Sequence, residues 1–156
     1  MEIELRETTD GDLAVFWEQS TDPALLRMAA LTREYHYDRG RFDAHWEKVR
    51  GDPAVTPRTV VADGVVVGHA AVFGPPEERE VTYVIGREHW GRGIATRALA
   101  ELIRLEDTRP LHAGAAADNA GSLRVLEKCG FTVTGRVREF ALARGEEVDV
   151  VLLILR

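Results

Sequence analysis

The chain has 156 residues, 45% of them hydrophobic and 29% charged, with a formal net charge of −6. That balance excludes a disordered chain, the longest apolar runs fall far short of a bilayer span, and the acidic surplus argues against nucleic acid and for a cationic partner. The length suits one domain spanning residues 1–156, able to bury roughly two-thirds of its unfolded surface, and the lone Cys129 forms no internal disulfide, which points to a reducing, cytoplasmic compartment.

Alternation in Glu2-Ile3-Glu4-Leu5-Arg6 predicts a first strand. Thr9 followed by Asp12 resembles a capping box opening a helix through Leu13, Phe16 and Trp17. Pro23 suits the first turn of a second helix past Leu25, Leu26 and Met28. A third helix is expected over about Phe42 to Val49, ended by Gly51 and Pro53, after a mobile loop at 36–40. Thr59–Ala62 and Val65–Phe73 read as strands flanking Asp63-Gly64, a two-residue hairpin signal. Pro75-Pro76 force a loop before a strand at Glu80–Ile85. Ile94, Ala98, Leu99, Leu102 and Ile103 form one face of a helix from about Gly93 to Asp107. A strand at Leu111–Ala115 precedes a helix at about Ala120–Cys129. Gly130 and Phe131 suit a Schellman ending of that helix on Leu126. Strands near Thr132–Arg138 and Glu147–Leu155 finish a mixed α/β chain.

The informative stretch runs from Tyr83 to Thr96, where a strand enters a glycine-rich turn that opens an amphipathic helix. Free N–H groups and the dipole at a helix N-terminus make an anion site. Gly91, Gly93 and the small Ala95 keep the backbone approachable, and Arg92 and Arg97 can add charge-assisted contacts. A pyrophosphate is the expected ligand. The P-loop pattern fails because no Lys-Ser or Lys-Thr pair follows the glycines, and Thr96 stands where a dinucleotide fingerprint needs its third glycine.

Trp90-Gly91-Arg92-Gly93-Ile94-Ala95-Thr96 resembles the acetyl-CoA pyrophosphate loop of the GNAT superfamily, Gln/Arg-x-x-Gly-x-Gly/Ala, with Trp90 in place of the usual Gln or Arg. Asn119-Ala120-Gly121-Ser122 through Leu126-Glu127-Lys128-Cys129-Gly130-Phe131 is similar to the Asn-x-x-Ser…Leu-Glu-Lys-x-Gly-Phe helix of its RimJ/RimL-like branch. The resemblance covers about Glu80 to Phe131. It implies a central, mostly antiparallel mixed sheet of six to seven strands flanked by helices, with a splayed strand pair holding acetyl-CoA. It also implies transfer of the acetyl group to an amine acceptor, a protein N-terminus or a small molecule, and dimerisation through the C-terminal strands.

Such a transfer needs a base for the amine, a donor for the oxyanion and help for the leaving thiolate. The resemblance makes Glu80 the base, with Glu78 as its substitute, a solvated loop carboxylate being the plain alternative. His69 is a second base candidate, although a strand histidine is more often structural. The oxyanion donor is expected to be a backbone N–H near Val84 or Ile85. The tyrosine that many GNAT enzymes carry on the second helix is replaced here by Leu126, which leaves Ser122, one turn earlier, as acid or hydrogen-bond donor. Asn119 is expected at the pantetheine arm or as a plain helix cap. Cys129 reads as packing rather than nucleophile, and no metal-ligand spacing is present. Trp17, Phe42 and Trp46 read as core, whereas Tyr35 and Tyr37 are available to the acceptor. The rival reading is a non-catalytic acyl-CoA-binding or sensor module.

Overall fold

A computed structural model describes residues 1–29 and 38–156. Its strands are β1 (Ile3–Arg6), β2 (Thr56–Ala62), β3 (Val65–Phe73), β4 (Glu80–Ile85), β5 (Leu111–Ala116), β6 (Thr132–Ala141) and β7 (Glu146–Leu155). Its helices are α1 (Asp12–Ser20), α2 (Pro23–Ala29), α3 (Arg39–Gly51), α4 (Ile94–Leu105) and α5 (Ala120–Lys128), with short 3-10 turns at Pro76–Glu78 and Arg87–His89. No helix among the described residues is long and apolar enough to cross a membrane.

The strands form one seven-stranded sheet in the order β1-β2-β3-β4-β5-β7-β6. Every neighbouring pair is antiparallel except β4 and β5, which are parallel. The turn between β2 and β3 holds Asp63 and Gly64 at φ 48° and 81°, the twin positive values of a type I′ hairpin. Strand β2 begins at Thr56, earlier than expected, and includes Pro57. Proline is tolerated there because β1 reaches only Thr59 to Ala62 of β2, so that end of the strand has no neighbour on one side.

Two apolar layers hold the helices to the sheet. Val67, Ala70 and Val72 of β3, Val81 and Ile85 of β4, and Leu111, Ala113 and Ala115 of β5 pack with Ile94, Ala98, Leu99 and Leu102 of α4 and with Leu126 and Phe131. Phe16, Phe42 and Trp46 form the second layer with α1 and α3, and Val66 packs against it. Phe42 and Trp46, 1% and 4% exposed, are core as expected, while Trp17 is only partly buried where it packs beside them.

Local signals set the element ends. The Asp12 carboxylate accepts from the Thr9 N–H at 2.9 Å, the back-reaching half of a capping box. Helix α3 begins at Arg39 rather than Phe42, because Asp38 caps it by accepting from the Arg41 N–H at 3.0 Å. Arg39 and Gly40 are therefore helical rather than loop, and the rest of the expected loop, with Tyr35 and Tyr37, lies outside the described residues apart from Asp38. At the end of α5, Phe131 N–H donates to Leu126 O and Gly130 N–H to Glu127 O, both at 3.0 Å, with Gly130 at φ 97°. That is the Schellman pattern.

Candidate active site

The site follows from the parallel pair. Strands β4 and β5 are in register at Glu80 and His112, and among the described residues no further pair joins them. That end is pinned: His112 N–H donates to Arg79 O at 2.8 Å, and the Arg79 guanidinium donates to Gly74 O and Ala54 O and pairs with Glu106. Beyond the pin the strands part, leaving a cleft between the rest of β4 and the rest of β5.

Backbone groups alternate in direction along a strand. Because Arg79 O points at β5 and Gly86 N–H donates to Val67 O of β3 at 2.9 Å, the backbones of Tyr83 and Ile85 face the cleft and that of Val84 faces β3. Gly68 permits this: a Cβ there would stand 1.9 Å from the Val84 carbonyl oxygen. With the Val84 carbonyl turned onto Gly68, the trans peptide plane directs the Ile85 N–H the other way, into the cleft. Of Val84 and Ile85, it is therefore Ile85 whose N–H is directed into the cleft.

The glycine turn lies at the open end. Gly91 and Gly93 have φ of 79° and 77°, where a side chain is strained. A Cβ at either would meet nothing within 4 Å, so within the protein itself these glycines serve backbone conformation. Gly93 occupies the N-cap of α4 without a side-chain cap bond. The first N–H groups of α4, at Ile94, Ala95 and Thr96, thus lack a capping side chain and suit an anion. Arg92 is exposed. Arg97 is exposed as well and donates to Met1 O at 2.6 Å. Trp90 closes the turn by donating from its indole N–H to Ile85 O at 2.8 Å, with 42% of its surface left exposed. These backbone groups fit the pyrophosphate and amide-bearing arm of a CoA thioester.

Glu80 sits at the pinned end, half-buried beside His112. Burial raises its carboxyl above the usual range; His112 pulls it down, and Glu139 and Glu78 push it up. Glu78 itself is exposed in the 3-10 turn.

Ser122 lies in the first turn of α5. Its N–H donates to Asn119 Oδ1 at 3.1 Å, and Asn119 Nδ2 donates to Met28 O at 3.2 Å. Asn119 is thus a helix cap that also ties α5 to α2. The Ser122 hydroxyl stands 2.7 Å from the Tyr83 hydroxyl, and either can donate. Tyr83 is the residue the sequence reading passed over. Its phenol is raised by burial, with the Ser122 hydrogen bond pulling it partly back.

His69, the second base candidate, lies in the other apolar layer. It packs against Phe16 and Trp46, with ring centroids 4.6 and 5.0 Å away. Burial, aided by the charge of His45, lowers its pKa to about 4, so it is a neutral aromatic neighbour. The Cys129 thiol donates to Thr96 O at 3.4 Å, and burial raises it.

Residues 2–132 match the family model described as the acetyltransferase (GNAT) domain. The chain belongs to the GNAT acetyltransferase family. Membership places it among the acetyl-CoA-dependent N-acetyltransferases, the class expected from the glycine turn and the Asn119–Phe131 helix. It is 31% identical over 80 residues to the uncharacterized N-acetyltransferase p20 of Bacillus licheniformis, which covers 49% of this chain and 45% of that one. It is 26% identical over 117 residues to the L-amino acid N-acetyltransferase AaaT of Escherichia coli, covering 69% and 72%. The chain thus spans under half the length of p20 and nearly three-quarters of AaaT. Among solved structures, spermidine N-acetyltransferase from Vibrio cholerae in complex with CoA and spermine superposes with a TM-score of 0.85, at 19% identity over 98% of this chain and 94% of that one. This GNAT fold is the seven-stranded mixed sheet expected from the sequence.

Proposed function

We propose that this GNAT protein passes the acetyl group of acetyl-CoA directly to a primary amine in a ternary complex, with Glu80 as base and the β4–β5 cleft as the thioester site. The observation that carries the reading is the single register pair at Glu80 and His112, beyond which β4 and β5 separate. A separated parallel pair exposes backbone donors on one strand, and those donors can pair with an extended, amide-rich ligand. In this reading the uncapped start of α4, from Gly93 to Thr96, holds the pyrophosphate together with Gly91 and Arg92, and Trp90 braces the turn. The Tyr83 and Ile85 backbones pair with the arm and the thioester, and Val84 supports them from the β3 side. Asn119 sets the position of Ser122, whose hydroxyl faces the leaving sulfur.

The chemistry is then short. The acceptor ammonium loses a proton toward Glu80, whose carboxyl is raised toward neutrality and so is a better base than a free carboxylate. The amine nitrogen attacks the thioester carbon, and the oxygen, as it gains charge, meets the Ile85 N–H. Collapse restores the carbonyl and breaks the C–S bond with its electron pair going to sulfur.

A cationic amine suits the Glu80 end, where Glu78 and Glu139 add negative potential. Four of the acids among the first fifty residues are already paired with arginines. Asp10 pairs with Arg50 at 2.6 Å, Asp12 with Arg6 at 2.8 Å, Asp22 with Arg87 at 3.1 Å and Asp43 with Arg39 at 3.0 Å. The RimJ/RimL-like motifs favour a protein or peptide N-terminal amine as acceptor. AaaT and the spermidine enzyme keep amino acids and polyamines on the panel. The test is thiol release from acetyl-CoA with a peptide of free N-terminus, spermidine and L-amino acids as acceptors. Turnover with one class, lost in Glu80→Gln, is expected; no turnover with any of them supports the sensor module instead.

A further inference from the structure

We propose that Tyr83 is a positioning residue that aims the Ser122 hydroxyl at the sulfur of the bound thioester. The inference rests on the proposed reading of the cleft. It starts from the hydrogen bond between the two side chains, 2.7 Å long, which joins residues 39 positions apart. Tyr83 stands on β4, whose backbone at this position faces the cleft, and Ser122 opens the helix that follows β5. Their contact therefore runs from the element on one side of the cleft to the element continuing the other side.

The orientation of the pair follows from donor strength. A phenol, with a pKa near 10, gives up its proton far more readily than an alkyl hydroxyl and is the stronger donor of the two. The alternative acceptor for the Tyr83 hydroxyl, Ser122 O, lies at 3.4 Å and is the poorer partner. With Tyr83 donating to Ser122 Oγ, the serine keeps its own proton free to point elsewhere. Asn119 fixes the serine backbone from the other side. Burial raises the phenol, which favours its role as the donor.

The step balances without any proton leaving either hydroxyl. As the C–S bond breaks, the electron pair goes to sulfur, and the Ser122 O–H donates a hydrogen bond to the developing thiolate. The thiolate takes its proton from solvent after it leaves. The two protons lost by the acceptor ammonium go out through Glu80. Leu126, where many family members carry a tyrosine, is packed in the core and cannot supply this donor. Tyr83 and Ser122 together replace it.

The experiment is a double-mutant cycle of Tyr83→Phe and Ser122→Ala, read as the single-turnover rate of acetyl transfer and as CoA affinity by calorimetry. The expected result is a roughly tenfold slower transfer in Tyr83→Phe with CoA affinity unchanged, and no further loss when it is added to Ser122→Ala. Independent, multiplying losses would overturn the inference, as would a wild-type rate in Tyr83→Phe, or a loss confined to CoA affinity. Should Ser122→Ala alone transfer at the wild-type rate, the assignment of Ser122 fails with it, while retained CoA binding would leave the cleft standing. As a second variant that preserves shape, 3,5-difluorotyrosine at position 83 lowers the phenol pKa, so the alkaline fall in rate should move to lower pH. An unmoved alkaline limb contradicts the proposal.

Discussion

Glu80 illustrates how one carboxylate is tuned by its place in the sheet. Half-burial at the pinned end of β4 raises its pKa, and the neighbouring Glu139 and Glu78 add to this against the pull of His112. A raised carboxyl is ionised only above the usual range, so kcat/KM is expected to fall on the acid side at a pH above that of an ordinary carboxylate. Glu80→Gln should lose about 10²-fold in kcat/KM and with it that acid limb, as read in a pH–rate profile. His69 makes the opposite statement about stability. Its folded pKa of about 4 lies below its unfolded value of 6.5, so the unfolded chain binds the proton first as pH falls. Stability is therefore full above about pH 6.5 and declines toward pH 4, by about 3 kcal/mol for this group. His69→Phe, which keeps the ring stack with Phe16 and Trp46, should remove that part of the decline in urea titrations at pH 7 and pH 4.5.

At the scale of elements, the start of α4 carries the anion-binding claim. Gly93 sits at φ 77° with open space around it, so Gly93→Ala meets conformational strain, of about 1 kcal/mol, and no clash. The relief of that strain turns the first N–H groups of α4, and CoA affinity should fall about tenfold while the melting temperature drops by only a few degrees. Much of this element was legible in the sequence, since the amphipathic run from Ile94 and the glycines before it specify both the helix and its uncapped start. The Schellman end at Gly130 and Phe131 and the hairpin at Asp63-Gly64 were legible for the same reason: local chemistry sets them. What the sequence left open is non-local. The splayed pair was expected from the family resemblance alone; nothing in β4 or β5 themselves fixes Glu80 and His112 as the point where they meet, because strand partners are chosen by the whole sheet. Tyr83 was missed because, in a strand, its alternation with Val81 and Ile85 reads simply as core, and its partner Ser122 lies a helix and a strand away.

Across the whole molecule, Asp12 joins the outer strands to the first helix. Its carboxylate accepts two hydrogen bonds from Arg6 of β1 at 2.8 and 2.9 Å, one from Thr59 of β2 at 2.8 Å and one from the Thr9 N–H. Burial alone would raise this carboxyl, but those four bonds outweigh it and hold it well below the usual carboxylate range. A lowered folded pKa means stability that is full above the unfolded value and is lost as pH falls toward the folded one. Asp12→Ala should cost about 3 kcal/mol, or roughly 10 °C in melting temperature, at neutral pH. Its deficit should shrink in strong acid, as thermal melts across pH would show. The parting of β4 from β5 is the feature on which the functional account stands, and its most direct test is calorimetric titration of the folded protein with acetyl-CoA, CoA, ATP and NAD. The account predicts saturable binding of acetyl-CoA and CoA with none of ATP or NAD. A well-folded sample that fails to bind CoA would contradict it and leave Gly91 to Ala95 as a structural turn.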